Sequence, residues 1–563
     1  WLMSETDEAG CITEYTYDRC GRQLTKTRRD AAGTQVQTTS YAYYESGLLK
    51  SETDPEGGVT TYAYDNEGHI LSVTYPAGTT DTYTYDAAYR QTGQRDPDGT
   101  LHAYTYDMTG NNTSVSLNDR TISFEYYPNG KIRKQTNEDG TWLLYTYDKR
   151  WNCIQTMDGD GAGMSYAYDG MDRLISERDA LGNTIRYEYD TQGRMIKTTD
   201  PNGNATAYEY DGNGNCIRMT DALSQATEME YDKADRLVCI TRETGAGRIS
   251  AGYTYDKAGR VTAVTDEEGS TTRYTYDVFG NVLTVTDAMG NPVAANTYDK
   301  TGNLLSTTDG EGKATGYAYD RAGNLLAVAE CLNGEEETSY TYEYDENLRL
   351  TKATDPVSGT TSREYDAYGN IVSVTDASGG TTRYTYDERN RITAVLSALG
   401  NQESYTYNAQ GLLSEEENAR GQKAAYTYDK AGRLITKKDE AGTITYTYDN
   451  SGNVLTVTEE DGEGGRETIS RTYDALNRVT GMTDCRGNTV KYGYDELGNR
   501  ISLTYPGGEI VRYSYYQNGN LKTVTDWEGN VTSYEYDSNG RLLKTTRPDG
   551  SVETRAYNKA GYL

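Results

Sequence analysis

Residues 169–190 read DGMDRLISERDALGNTIRYEYD, and two turn signals divide them. The second, Asp179-Ala180-Leu181-Gly182, is D-x-x-G, and in most sister segments the first is too, as in Asp256-Lys257-Ala258-Gly259. Asp at the first position and Gly at the fourth suit a type I turn. The carboxylate can accept from backbone N–H groups two residues on. The glycine supplies a left-handed conformation and the bulge that lets such a turn join two twisted strands. Asp172, Asp235, Asn390 and Asn477 stand where that glycine is missing. Asn and Asp are the residues that best tolerate positive φ. Between the turns, RLISER and TIRYEY alternate with period two and draw on strand-favouring residues. The unit is therefore a β-hairpin.

The unit recurs along the whole chain. Counting variants such as Tyr126-Tyr127 and Tyr407-Asn408, 26 units run from Tyr17 to Tyr557, and 18 of the 25 intervals are 21 residues long. The other intervals, of 20 to 26 residues, read as loop insertions, for example the acidic glycine-rich stretch Glu459 to Gly465. The expectation is all-β: one continuous antiparallel hairpin array over residues 1–563. In the Y-x-Y-D signature the two tyrosines are i and i+2 and share one sheet face. The signature residues are Tyr168, Asp169, Tyr187, Tyr189, Asp190 and Gly193, with Tyr253, Tyr255, Asp256 and Gly259, and Tyr534, Tyr536, Asp537 and Gly540. Chained hairpins should set these rings in rows that glue strands together. Exposed rows could instead stack on sugars.

Twenty-six hairpins make 52 strands, about 250 Å if laid flat. Twisted open sheets rarely pass about 10 strands without curling, and a fixed hand of twist makes the curl a spiral. A parallel solenoid would not need hairpin turns. A propeller would need about 13 blades, more than propellers have. Neither strand face is apolar enough for sandwich packing, which points to a hollow shell or tube.

Composition agrees. Hydrophobic residues are 35% of the chain, with 55 Tyr against 2 Phe and 4 Trp. Tyrosine favours strands and tolerates a wet edge. The formal net charge of −31 is spread along the chain. It repels phosphate backbones and anionic membranes, so neither nucleic acid nor a membrane surface is an expected partner. No stretch of 18 apolar residues could span a bilayer as a helix. Seven scattered cysteines without a C-x-x-C pair give no disulfide framework or zinc site. The chain starts at Trp1 without a signal peptide and reads as cut inside repeats at both ends.

Chemical motifs are sparse. His69 and His102 lie inside repeat segments, and no nucleophile elbow, phosphate loop or H-E-x-x-H pattern occurs. Carboxylates follow the turn spacing, and no unit offers the privileged setting of an acid pair. Asp158-Gly159-Asp160-Gly161 and Asp96-Pro97-Asp98-Gly99 resemble pieces of calcium loops but lack the further ligands of an EF-hand. They read as acidic turns. No catalytic residue, cofactor or metal site is expected.

The units YTYDKAGRV (Tyr253 to Val261), YEYDSNGRL (Tyr534 to Leu542) and YTYDNSGNV (Tyr446 to Val454) resemble the YD repeat of the RHS family. That family takes in bacterial RHS polymorphic toxins, wall-associated proteins, the BC components of Tc toxins and the YD shell of teneurins. The resemblance implies a spiral β-hairpin cocoon, secreted or at the cell surface, that encloses or presents a C-terminal toxin or effector. Its cargo-releasing members carry a D-P-x-G-L-type segment. Here Asp54-Pro55, Asp96-Pro97 and Asp200-Pro201 open ordinary turns, and none continues to that Leu. The function expected is a non-catalytic structural shell with toxin or effector cargo as partner. The alternative is an adhesion module that binds glycans or a cell surface.

Overall fold

The computed structural model describes residues 1–245, 247–332 and 335–563. Its described residues form one antiparallel sheet of 52 strands, numbered β1–β52 in chain order, and no helix. The sheet is a meander. β17 (Leu174–Arg178) pairs with β18 (Thr184–Tyr189), β18 with β19 (Met195–Thr199), and so on from β1 (Ser4–Thr6) to β52 (Val552–Thr554).

Most hairpin turns are built as the sequence predicts, with shorter ones at Asn118-Asp119 and Asp439–Gly442. At Asp190, the Gly193 N–H donates to the Asp190 carbonyl (3.1 Å) and the Asp190 N–H to the Arg194 carbonyl (3.0 Å). The Asp190 carboxylate oxygen Oδ1 accepts from the N–H groups of Gln192 and Arg194, both at 2.9 Å. The ladder shifts register between Glu188 and Tyr189, the expected bulge. Gly193 has φ 87°, and Asp172, Asp235, Asn390 and Asn477 take φ 58–62° in its stead. Trp151 and Leu348 hold the same left-handed position, at φ 67° and 61°. Neither was foreseen, because a side chain of that size reveals nothing of its backbone.

The insertions depart from expectation. They lengthen strands rather than add loops. β43 (Val454–Asp461) and β44 (Arg466–Tyr473) have eight residues each, and the acidic insertion forms their ends and a tight Asp461–Gly465 turn. β23 (Leu237–Thr244) and β24 (Gly247–Tyr255) are stretched in the same way. An alternating extension continues an existing ladder, which satisfies its own backbone groups.

Turns alternate between the two edges of the ribbon. We call these the YD rim, where turns follow Y-x-Y, and the return rim, where turns such as Asp179–Gly182 lie. Return-rim turns meet YD-rim turns one coil later. The Asp98 N–H, in the turn between β9 (Gln91–Arg95) and β10 (Leu101–Tyr106), donates to Asn347. Asn347 lies in the turn between β32 (Glu335–Tyr344) and β33 (Leu350–Asp355). Ser451 bonds Asp200, Asn539 bonds Asp287 and the Lys559 N–H bonds Glu311, across 251, 252 and 248 residues. Each of these contacts joins turns 23 strands apart, as from β9 to β32 and from β19 to β42 (Gly442–Tyr448).

The sheet is thus a coil of about two and a quarter turns. Its wall is about 110 Å around, which corresponds to a diameter of about 35 Å for a circular cross-section. The space between them is not a core. Among the described residues no strand lies alongside any strand but its chain neighbours. Buried apolar side chains are few and scattered, among them Cys11, Val73, Ile249 and Val511. The accessible surface is 31644 Å² for 62.5 kDa, against about 20,000 Å² for a compact chain of that mass. A wall wetted on both faces accounts for the excess. Small-angle scattering should accordingly give a pair-distance distribution with a solvent-filled centre, and a solid-globule profile would refute the coil.

Candidate functional site: the rims, the seam and the wall

Along the YD rim a relay joins a hairpin to the next where arginine ends the turn. The fifth residue of the turn is Arg or Asn in 21 of 26 units, a pattern visible in the sequence whose role that reading missed. Arg173 donates Nε to Asp169 Oδ2 at 2.7 Å and Nη1 to the Asp190 carbonyl at 2.8 Å. Its guanidinium lies 4.9 Å from the centre of the Tyr189 ring. The Tyr189 hydroxyl in turn donates to the Leu174 carbonyl at 2.8 Å, closing the strand pair beyond the last ladder bond. Arg194 then repeats the motif from Asp190 to Asp211 and Tyr210.

The other signature residues occupy the same roles. Tyr168 donates to the Cys153 carbonyl and Tyr255 to the Leu237 carbonyl. Asp256 holds Arg260, which reaches the Asp277 carbonyl at 2.7 Å and covers Tyr276. Asp537 holds Arg541 at 2.7 Å, and Gly259 and Gly540 take φ 81° and 75°. Tyr536 meets the Tyr516 ring edge-on at 5.9 Å, and the Tyr534 carbonyl accepts from the Tyr516 hydroxyl. Tyr187, Tyr253 and Tyr534 are half-buried and face Thr198, Val264 and Thr545 on the next strand.

The rings of these rows are not in direct contact with one another for the most part. Successive signature tyrosines sit two strands apart, and a Val or Thr strand separates them. The pairs formed are aromatic with β-branched, and arginine covers the second tyrosine. Direct contacts between neighbouring YD rings arise where tyrosine replaces the turn aspartate, at Tyr44, Tyr127 and Tyr516. A second tyrosine with an arginine on its ring and its hydroxyl on a carbonyl has little left for a sugar.

The residues weighed for chemistry are spent on structure. His69 takes the arginine's place, with Nδ1 3.0 Å from Asp65 and its ring stacked 4.7 Å from Tyr89. His102 Nε2 lies 2.9 Å from Asp96. Asp158 accepts from the Asp160 and Ala162 N–H groups, and Asp98 from Thr100 and Arg349. The seven thiols are free, Cys11 buried and Cys20 and Cys485 exposed.

The seam between coils has a chemical polarity. Its return side supplies most of the carboxylates and its YD side most of the donors, while Asn118, Arg120, Asn202 and Ala288 on the return side donate the other way. The Lys300 and Gln517 N–H groups donate to Glu56 and Glu268. Tyr368 donates to Asp119, and Arg389 and Arg391 lie 3.6 and 3.5 Å from Asp139. Burial opposes charge on Asp139, but the Thr141 bonds and the two guanidiniums outweigh it and hold its carboxyl low. The Tyr368 hydroxyl does the same for Asp119. Burial likewise opposes Asp287, and its bonds from Asn291 and Asn539 prevail.

Two outcomes follow for these contacts. Arg260→Met should speed hydrogen exchange at the Asp256 and Asp277 turns about 5- to 30-fold, the equivalent of about 1–2 kcal/mol. Distant turns should be unaffected, and uniform loss would mean the relay is not local. Depressed carboxyl pKa values add stability that is full above the unfolded value of about 3.9 and is lost as pH falls from there through the lower folded value. Protection at the Asp119, Asp139 and Asp287 turns should therefore fall below about pH 4, and Asp139→Asn should flatten that response at its own turn.

Comparison with known proteins places this architecture. Residues 297–463 match the Teneurin YD-shell family. Residues 43–80, 66–101, 168–205, 210–249, 255–292, 473–510 and 515–552 match the RHS Repeat. No functionally curated protein sequence matches the chain. Among solved structures, TcdB2-TccC3-TEV superposes on 99% of this chain with a TM-score of 0.64 at 15% identity, and TcdB2-TccC3 on 96% with 0.61 at 15%. The Tc holotoxin pore of Photorhabdus luminescens superposes on 97% with 0.50 at 15%. This chain spans 39%, 38% and 35% of those three chains, well under half of each. At that identity the likeness is one of fold. Two repeat signatures of one kind thus alternate along a sheet whose YD-rim hairpins carry the Tyr-Asp turn or a close variant of it, and the chain is built of RHS and YD-shell repeats.

Proposed function

We propose that the chain is the non-catalytic wall of a larger secreted or cell-surface RHS-type protein, and that this wall encloses or presents a toxin or effector. The observation that carries this reading is the coil itself. A 52-stranded sheet returns on itself every 23 strands, seals turn against turn, and leaves its centre without packed strands. Such a wall has room on its axis for another polypeptide.

Its chemistry supports the same reading. The repeated turn carboxylates are taken up by turn amides, arginines and seam donors, as suits a wall. Structures of similar fold include a Tc holotoxin pore. Extracellular placement comes from that resemblance and from the family.

The test is protease protection. A reporter peptide appended after Leu563 should resist cleavage in the intact shell. Asp119→Lys, Asp139→Lys and Asp287→Lys together should part the seam and make the reporter labile while the ladders persist. Equal cleavage with and without these changes would sink the proposal.

A further inference from the structure

Most seam contacts use the third residue of the return turn. Glu56, Glu268 and Glu311 accept from the N–H of the second residue of the facing turn, at Lys300, Gln517 and Lys559. Asp98 and Asp139 are one methylene shorter and meet arginine instead, Arg349 at 3.1 Å and Arg391 at 3.5 Å. Asn202 donates to Asp449.

Two successive pairs of facing turns do not follow this pattern. By the 23-strand offset, the turn after β15 (Cys153–Asp158) faces that after β38 (Gln402–Tyr407), and the turn after β17 faces that after β40 (Lys423–Tyr428). Their third return residues are Asp160 and Leu181. Asp160 is short, and the turn opposite offers no arginine, since Gln410 and Leu412 hold its third and fifth places. Leu181 has no acceptor, although Lys430 stands where Lys300 and Lys559 stand. One pair has an acceptor without its arginine, and the other a donor turn without its acceptor. Among the described residues these turns bond within themselves and not across the seam. The Asp160 and Leu181 N–H groups go to Asp158 and Asp179, and those of Leu412 and Ala431 to Asn408 and Asp429.

Two further observations fall on the same stretch. A cavity of about 470 Å³ lies between Trp142 and Asp158 on one coil and Gln410 and Lys430 on the other. A second, of about 360 Å³, reaches from Gly163, which lines both, to Leu181. The YD-rim relay also lapses here. Arg391 Nη1 ends beside Gly411, buried and without a hydrogen bond, so nothing is passed into the Asn408 turn. Leu412, in the arginine's place, passes nothing on.

We propose that the wall parts at this stretch, and that the parted seam is a gate for an extended polypeptide, a use that rests on the wall's role as an enclosure. The flanking contacts, Asp139 with Arg391 and Asp200 with Ser451, are six strands apart. That is about 29 Å along the wall, against about 10 Å for the side-chain breadth of an extended chain. Separating the two coils between them breaks no ladder bond and no seam bond.

Hydrogen exchange on the whole chain tests the gate without cargo. The turn amides of Asp179, Asn408 and Asp429 should exchange about 2- to 10-fold faster than their equivalents Asp266, Tyr516 and Asn558 in bonded pairs, the factor set by one net hydrogen bond. Leu181→Glu with Leu412→Arg supplies both missing halves, and it should bring these amides to the slower rate. Leu181→Lys should leave Asp179 and Asp429 fast, and circular dichroism confirms that each variant keeps its sheet. With a reporter peptide appended after Leu563, the lock should also lower the residual cleavage of the intact shell. Equal exchange at bonded and unbonded turns, or a lock that slows exchange and leaves that cleavage unchanged, would overturn the gate. A reporter cleaved freely while the seam is whole would sink the enclosure instead, and the exchange rates would still decide whether the seam parts.

Discussion

A turn that satisfies itself is the constraint behind this architecture. A sheet with water on both faces has little apolar burial to hold it, so its ends cannot be left frayed. In most repeats one aspartate takes up two turn amides through Oδ1, and its second oxygen anchors an arginine or asparagine. The left-handed fourth residue lets that turn enter a twisted ladder at the correct hand. Without it the strands would splay, and the next hairpin would have no edge to bond. Cohesion along the wall then comes from ladder bonds, from arginine on tyrosine, and from facing threonines such as Thr275 and Thr284 at 2.6 Å.

Closure of the coil depends on counting strands, not residues. The stretched hairpins at β23–β24 and β43–β44 add length across the ribbon but no strand along it. Seam contacts spaced 244 to 252 residues apart therefore still share the 23-strand offset. Evolution can lengthen a hairpin without shifting the register between coils. A repeat array whose contacts are to nearest neighbours tolerates such changes locally.

Much of this was legible in the residues. D-x-x-G fixed the hairpins, period two fixed the strands, and Asp172, Asp235, Asn390 and Asn477 marked left-handed backbone without glycine. The relay was half visible. Arg173 and Arg194 recur at one place in the turn, but their targets, Asp190 and Asp211, lie a whole hairpin further on. The seam was not visible, because Asp139 and Arg389 are joined by accumulated twist and no local pattern records an angle. The insertions misled because Glu459 to Gly465 has a loop's composition, yet its register allowed it to extend a ladder.

The use of tyrosine is consistent with a thin wall. A phenylalanine in the same place would cover the strand but leave the Leu174 carbonyl unpaired where the ladder ends. Tyr189 covers the strand, offers its ring to Arg173 and closes that carbonyl with one hydroxyl. Three contacts from one side chain compensate for the missing second layer, and they do so at the rim, where a coil without a core is weakest. The same economy explains the acidic surface. Carboxylates pinned in turns stabilise the rims, while unpinned ones along the strands keep a two-faced sheet from adhering to others. A polar wall of this kind can be long and hollow at once, which an apolar sheet in water cannot.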